Sequence, residues 1–316
     1  MMSAKHHAPS LMDSLPEVRG RLSADEPMAR YTWFKVGGNA EVLFRPADAD
    51  DLRDFLKAMS AEIPICVIGN ASNLLVRDGG IPGVVIRLGS AFSQIRIEGH
   101  EIIAGAGAAD LNVARTARDA GLAGLEFLSG IPGTIGGAVI MNGGAYGSEL
   151  SDICVSAGCV DRQGNRHEIA AENLGFRYRH TDIDPSWIVT DVRLRGETGD
   201  QEKITERMAQ IQNDREVTQP VRTPTGGSTF ANPPGLKAWQ LIDQAGCRGL
   251  KRGQAMVSDL HCNFLINQGG ASACDLEGLG EEVRRRVFEH SGIRLEWEIR
   301  RIGIPGGPGI KEIDHD

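Results

Sequence analysis

Glycine is concentrated in short, aperiodic clusters along this chain, the densest running from Gly130 to Gly147. The 40 glycines among 316 residues are nearly twice the usual share of roughly 7%. Without a period they exclude collagen-like and solenoid folds. Clusters of this kind belong where backbone approaches a ligand closely or turns through positive φ. They divide a chain otherwise built from ordinary elements. Glu41–Phe44 reads as a strand, and Asp48 with Asp51 starts a helix bearing Leu52, Phe55, Leu56 and Met59 on one face. The apolar runs at 65–68 and 84–88 complete a β-α-β unit. Further strands are expected at 102–104, 153–160, 187–194, 263–267 and 295–304, and helices at 111–120, 204–217, 238–245 and after Ser272. The class is therefore α+β with mixed sheets. The expected division is an N-terminal extension over 1–30, subdomains over 31–90, 91–200 and 201–310, and a tail at 311–316.

The net charge of −8 argues against a nucleic-acid partner, which calls for a basic face; Arg284-Arg285-Arg286 reads as a solvated helix face. An anionic small molecule stays compatible, since only its own site need be positive. No apolar run approaches the ~20 residues of a membrane helix, and no signal-peptide core opens the chain. Leu11, Leu15, Val18 and Leu22 suggest a short amphipathic segment there, and His6-His7 is too short for a metal site. The six cysteines show neither paired nor metal-ligand spacing, so reduced thiols, a cytoplasmic location and no metal are expected.

Two segments carry chemistry. The first, Gly69-Asn70-Ala71-Ser72-Asn73-Leu74, follows the apolar run at 65–68, read as a buried strand; its small residues let successive amides curl around an anion. The second is Gly130-Ile131-Pro132-Gly133-Thr134-Ile135-Gly136-Gly137. Together they could grip a diphosphate from two sides, with Ser72 and Thr134 adding hydroxyl donors. Either alone could equally be a tight turn. Neither has the spacing of a Rossmann fingerprint or a Walker loop.

Trp33-Phe34-Lys35-Val36-Gly37-Gly38, the Gly69–Leu75 loop with Asp78-Gly79-Gly80, and the run from Gly124-Leu125-Glu126-Phe127 to Met141-Asn142-Gly143-Gly144-Ala145-Tyr146-Gly147 resemble the UDP-N-acetylenolpyruvoylglucosamine reductase (MurB) family. The resemblance continues through Gly227-Ser228-Thr229-Phe230, Asn232-Pro233, Ser258, His261 and Asn263-Phe264 to Leu295-Glu296-Trp297-Glu298. It covers nearly the whole chain after residue 30. It implies a vanillyl-alcohol oxidase/PCMH-type FAD-binding fold with a C-terminal α+β substrate-binding domain. It also implies FAD as cofactor, NADPH as hydride donor and a UDP-sugar substrate, in a monomer that makes peptidoglycan precursor. The short spacing from Arg179 to Ser228 resembles the form of the family without an inserted tyrosine loop.

By the same resemblance, Arg179 stabilises the charge that develops on the substrate, Ser228 donates a proton and Glu298 hydrogen-bonds beside them. Arg215, Asn232, Lys237 and Gln240 are weaker candidates for the substrate. Read without the resemblance, Arg179 is a surface arginine, Ser228 a turn serine and Glu298 a solvent-facing strand residue. The sequence does not show that the three meet. Ala71 stands where the family usually has glycine, Gly143 where it has alanine, Leu260 for lysine and Trp297 for proline. Competing readings are a flavin oxidase of the same fold acting on a hydroxylated substrate, and a nucleotide-binding module without catalysis.

Overall fold

The computed structural model describes residues 10–306; His6-His7, the start of the expected extension and the 311–316 tail lie outside the described residues. The first sheet is drawn from β1 (Arg21–Pro27), β2 (Asn39–Arg45), β3 (Ile65–Ile68) and β5 (Ile81–Arg87), in the order β1-β2-β5-β3. The short β4 (Leu74–Val76) lies outside it. Helix α1 (Ala49–Ala58) makes the crossover from β2 to β3, which lets both run parallel to β5. Asp48 caps it by accepting from the Asp51 amide at 2.9 Å, and Leu52, Phe55 and Leu56 are buried.

Two expectations change here. The extension does not end at residue 30: β1 pairs antiparallel along β2. Its approach is fixed because the Asp51 carboxylate accepts from the amides of Arg19, Gly20 and Ala47. The strand at 65–68 is not a buried one, since β3 pairs only with β5 and occupies the sheet edge, leaving Val67 39% exposed.

The second sheet is antiparallel, in the order β12-β11-β13-β7-β6, from β6 (Ile95–Glu98), β7 (Glu101–Gly105), β11 (Cys154–Val160), β12 (Arg166–Ala170) and β13 (Ile188–Arg195). Helices α2 (Asp110–Asp119) and α3 (Ile135–Ile140) follow β7, with β8 (Leu122–Ala123) between them and the hairpin β9 (Gly144–Ala145) and β10 (Ser148–Glu149) after. The expected boundary near 200 is not a break. β14 (Glu197–Thr198) pairs with β8, and α4 (Gln201–Thr218) buries Ile204 and Met208 in the same core as α2 and β13. Ile204 and Met208 of α4 face this core, so the helix packs with what precedes it.

The last unit has the antiparallel order β15-β18-β17-β16, from β15 (Thr225–Ser228), β16 (Lys251–Arg252), β17 (Ala255–Val257) and β18 (Phe264–Asn267). Helices α5 (Ala238–Gln244) and α6 (Ala273–Ser291) cover it. A Ser272–Asp275 capping box starts α6 and left-handed Gly292 ends it. Leu276, Leu279, Val283 and Val287 fill a separate core that also takes Phe34, Val36 and Leu75 from the first unit. Of the expected strand at 295–304 only β19 (Arg300–Ile302) forms, parallel to β4, with Trp297 bridging Phe230. The chain thus returns to the first unit at its end. Trp297 fits because Gly280 of α6 is bare: a Cβ there would lie 2.1 Å from the indole.

Candidate active site

The two glycine loops meet. Asn70 donates its side-chain amide to the Gly133 carbonyl at 3.1 Å. A Cβ on Gly69 would fall 2.2 Å from the Thr134 hydroxyl oxygen, so this approach requires glycine. Ala71 sits at φ +49°, left-handed and buried. The family's usual glycine has an evident reason at this position, and the alanine carries strain of about 1–2 kcal/mol. That turn curls the chain so that the amides of Asn70, Ala71, Ser72 and Asn73 donate to no described acceptor. The second loop is anchored by the Ile135 and Gly136 amides, which donate to the carbonyls of Ala108 and Ala106. Ile131 packs on the main core, Pro132 is half-buried and Gly137 is exposed. Leu74, read as part of the first loop, is instead the first residue of β4 and pairs with Arg300. A curled run of free amides facing small residues is the donor set an anionic diphosphate needs, so these loops fit that part of FAD.

Arg179 stands at the third position of a tight turn in which Arg177 and His180 exchange backbone hydrogen bonds, both 3.0 Å. Its φ of +56° is a conformation that favours glycine at this place, held here by the turn and by its side chain. The Arg179 Nε donates to Glu298 Oε1 at 2.9 Å, Nη2 donates to the Gly144 carbonyl at 3.3 Å, and the guanidinium lies 5.0 Å from the Tyr178 ring centre. The Glu298 side chain is only 13% exposed, so it does not face solvent. Burial pushes its carboxyl above the usual range, while the charge and hydrogen bond of Arg179 pull it partly back.

Glu298 is held at both backbone ends. Its amide donates to the Thr229 carbonyl at 2.9 Å, and its carbonyl accepts from the Asn73 side chain at 3.1 Å. The first glycine loop, the Arg179 turn and the serine strand therefore converge on one residue. Ser228 ends β15, opposite Phe264, half-buried and next to Thr229. Its hydroxyl has no hydrogen-bond partner among the described residues.

A cleft of about 390 Å³ opens over this junction, lined by Arg179, Glu298, Tyr178, Trp297, Arg300 and Arg77 among others. Ser228 is not among its lining residues. Arg77 is paired with Glu277, but Arg300, exposed at the start of β19, has no ion-pair partner among the described residues. Arg300 was not singled out in the sequence. Its one signal there is its place two residues after Glu298, on the same side of an alternating segment.

The weaker candidates separate. Asn232 accepts from the Ala238 amide at 3.0 Å and so caps α5, beside exposed Lys237 and Gln240. Arg215 lies apart from them on α4, half-buried near Tyr146, with a buried Nε lacking a partner among the described residues. Tyr146 in turn packs on Gly130, where a Cβ would be 2.5 Å from its ring. Among the described residues no three ligating side chains are grouped to hold a metal, and no helix is long and apolar enough to cross a membrane.

The sequence matches the FAD binding domain family over residues 40–170 and the UDP-N-acetylenolpyruvoylglucosamine reductase, C-terminal domain, over residues 219–302. It is 59% identical over 304 residues to the UDP-N-acetylenolpyruvoylglucosamine reductase of Parvibaculum lavamentivorans, covering 96% of this chain and 98% of the relative. The chain belongs to the UDP-N-acetylenolpyruvoylglucosamine reductase family. A second reductase of that name, from Paramagnetospirillum magneticum, is 60% identical over 292 residues, covering 92% of this chain and 95% of its own. The crystal structure of the Thermus caldophilus reductase superposes with a TM-score of 0.77 at 38% identity, covering 90% of this chain and 99% of that one. The FAD-binding fold with a C-terminal domain is thereby shared with the reductase family. Arg179 lies between the two matched domains.

Proposed function

We propose that this protein reduces the enolpyruvyl ether of UDP-N-acetylglucosamine to UDP-N-acetylmuramate, with FAD bound in the two-loop site and NADPH as reductant. The reading rests on membership of the reductase family. The structural observation that carries it is the half-buried Arg179–Glu298 pair, tied through Asn73 to the first loop and through Thr229 to the Ser228 strand. When bound, the flavin would supply two-electron chemistry, the relay of a hydride from NADPH to the terminal methylene carbon of the substrate. One proton must then reach the neighbouring carbon, so that the double bond becomes two C–H bonds and NADPH leaves as NADP⁺.

The free amides of Asn70 to Asn73 would hold the cofactor diphosphate, with the Ser72 and Thr134 hydroxyls and the second loop adding donors. Arg179 spends Nε on Glu298 and keeps its other guanidinium donors for the substrate carboxylate, where negative charge grows as hydride arrives. Glu298 fixes that orientation. Ser228, with an uncommitted hydroxyl, donates the proton. Arg300 adds unpaired positive charge to the cleft, and Asn232, Lys237, Gln240 and Arg215 are assigned to the nucleotide part of the substrate. The first two sheets form the FAD-binding part, and the unit beginning at β15 the substrate side. The protein works as a cytoplasmic monomer supplying peptidoglycan precursor.

The test is an anaerobic absorbance titration. NADPH should bleach the flavin of the purified protein, and the enolpyruvyl nucleotide should restore the oxidised spectrum. A flavin that bleaches but recovers only with air would refute the proposed reductase activity.

A further inference from the structure

Asp110 is a buried carboxylic acid that the mechanism above does not use. It opens α2, is 0% exposed, and neither of its carboxyl oxygens makes a hydrogen bond to a described residue. It lies directly behind the second loop, where a Cβ on Gly133 would be 2.8 Å from Oδ2. Its own amide donates to the Gly133 carbonyl, the carbonyl that also accepts from Asn70 of the first loop. Asp110 therefore stands beneath the residue at which the two loops are joined.

An ionised carboxylate cannot be held dry without a cation or several donors. No charged described residue acts on this one: burial pushes its pKa well above the ordinary value, and the nearby Gly133 amide, which does not meet hydrogen-bond geometry with either oxygen, pulls it back only in part. Its own helix, the second loop and the first loop bring no titratable side chain to it, the nearby Asn70 and Ser72 being neutral. A charged Asp110 would also put negative charge directly behind Gly133, in the loop proposed to hold the diphosphate.

We propose that Asp110 is a positioning residue of the cofactor site, its neutral carboxyl group backing Gly133 and holding the second loop against the first, and its ionised form opposing the diphosphate. The inference rests on the flavoprotein reading. FAD binding then favours the protonated acid, so binding retains a proton that the FAD-free protein loses as pH rises. Affinity falls with pH through that interval, by up to about tenfold per pH unit for a single proton.

The experiment is a fluorescence titration of the FAD-free full chain with FAD between about pH 6 and pH 9, in the parent, Asp110→Asn and Asp110→Ala. The parent should bind more weakly at the alkaline end of the range than at the acid end, by at most about tenfold per pH unit. Asp110→Asn, neutral at every pH, should keep the parent's acid-side affinity with a flat profile, and Asp110→Ala should bind more weakly and also without pH dependence. A flat parent profile, or a sloping one that Asp110→Asn reproduces, would overturn the proposal while leaving the flavoprotein reading intact. Absence of FAD binding by the parent at every pH would overturn both. If Asp110→Asn fails to fold, Asp110→Ala takes its place: a slope as steep as the parent's in that variant would overturn the proposal.

Discussion

Replacing Gly69 by alanine tests the junction of the two loops directly. The new Cβ would start 2.2 Å from the Thr134 hydroxyl oxygen and 3.3 Å from the Thr134 Cβ, so the loops must part by about an ångström or Thr134 must leave its rotamer. Overpacking of this kind costs about 1–3 kcal/mol. If that cost falls on the FAD-binding arrangement, the dissociation constant rises by about 5- to 150-fold. Thr134→Ala removes the offending oxygen and leaves a tight but tolerable contact, so Gly69→Ala in that background should lose far less. The coupling between the two changes should be about 1–2 kcal/mol. The assay is FAD affinity by fluorescence quenching at one fixed pH, with thermal unfolding of each FAD-free variant as control. Unchanged affinity in Gly69→Ala, or an equal penalty with and without the Thr134 hydroxyl, would refute the reasoning.

Other consequences are as direct. Ser228→Ala should leave bleaching by NADPH intact and slow reoxidation by the enolpyruvyl nucleotide by about 100-fold or more; equal stopped-flow reoxidation rates would remove the proton-donor role. Ala71→Gly relieves about 1–2 kcal/mol of left-handed strain but adds about 0.5–1 kcal/mol of unfolded-chain entropy and gives up a buried methyl, so chemical denaturation should place it within about 1 kcal/mol of the parent. A large loss of stability there would contradict the observed φ. Asp161, though burial raises its pKa, accepts from His167, Asn165 and Gln163 and is pulled down to about 2. Its stabilisation should be full above the unfolded value of about 3.9 and fade as pH falls through about 2. Asp161→Asn should therefore cost about 1–3 kcal/mol near neutrality and progressively less in acid, as read from melting temperature against pH.

Much of the local structure was legible because local chemistry decides it. The Asp48 cap, the Ser272–Asp275 box and the apolar faces of α1 and α6 are properties of short stretches, and they formed where the pattern placed them. The errors lay where an element's partner is distant. β1 looked like part of an extension until its pairing with β2, and α4 looked like the start of the last unit until Ile204 and Met208 met the preceding core. The run at 65–68 looked buried because an apolar strand carries no mark of whether one or both of its edges are paired. For the site, the glycine loops were visible as loops, but the reason Gly69 must be bare is a threonine 65 positions later in the chain. Asp110 carried no signal at all: an acid at the first turn of a helix is ordinary, and only packing makes it dry and unpartnered.

The sequence by itself determined many of the elements with their caps, the two glycine loops and, through its motifs, the reductase family. Tertiary structure alone decided that Arg179 pairs with Glu298 across 119 positions of chain, that Asn73 and Thr229 hold Glu298 between loop and serine strand, and that Asp110 lies beneath Gly133. The physical reason is range. Capping, periodicity and turn preference act within a few residues, whereas burial, ion pairing and the clash a single Cβ would make depend on which distant segments the folded chain brings into contact.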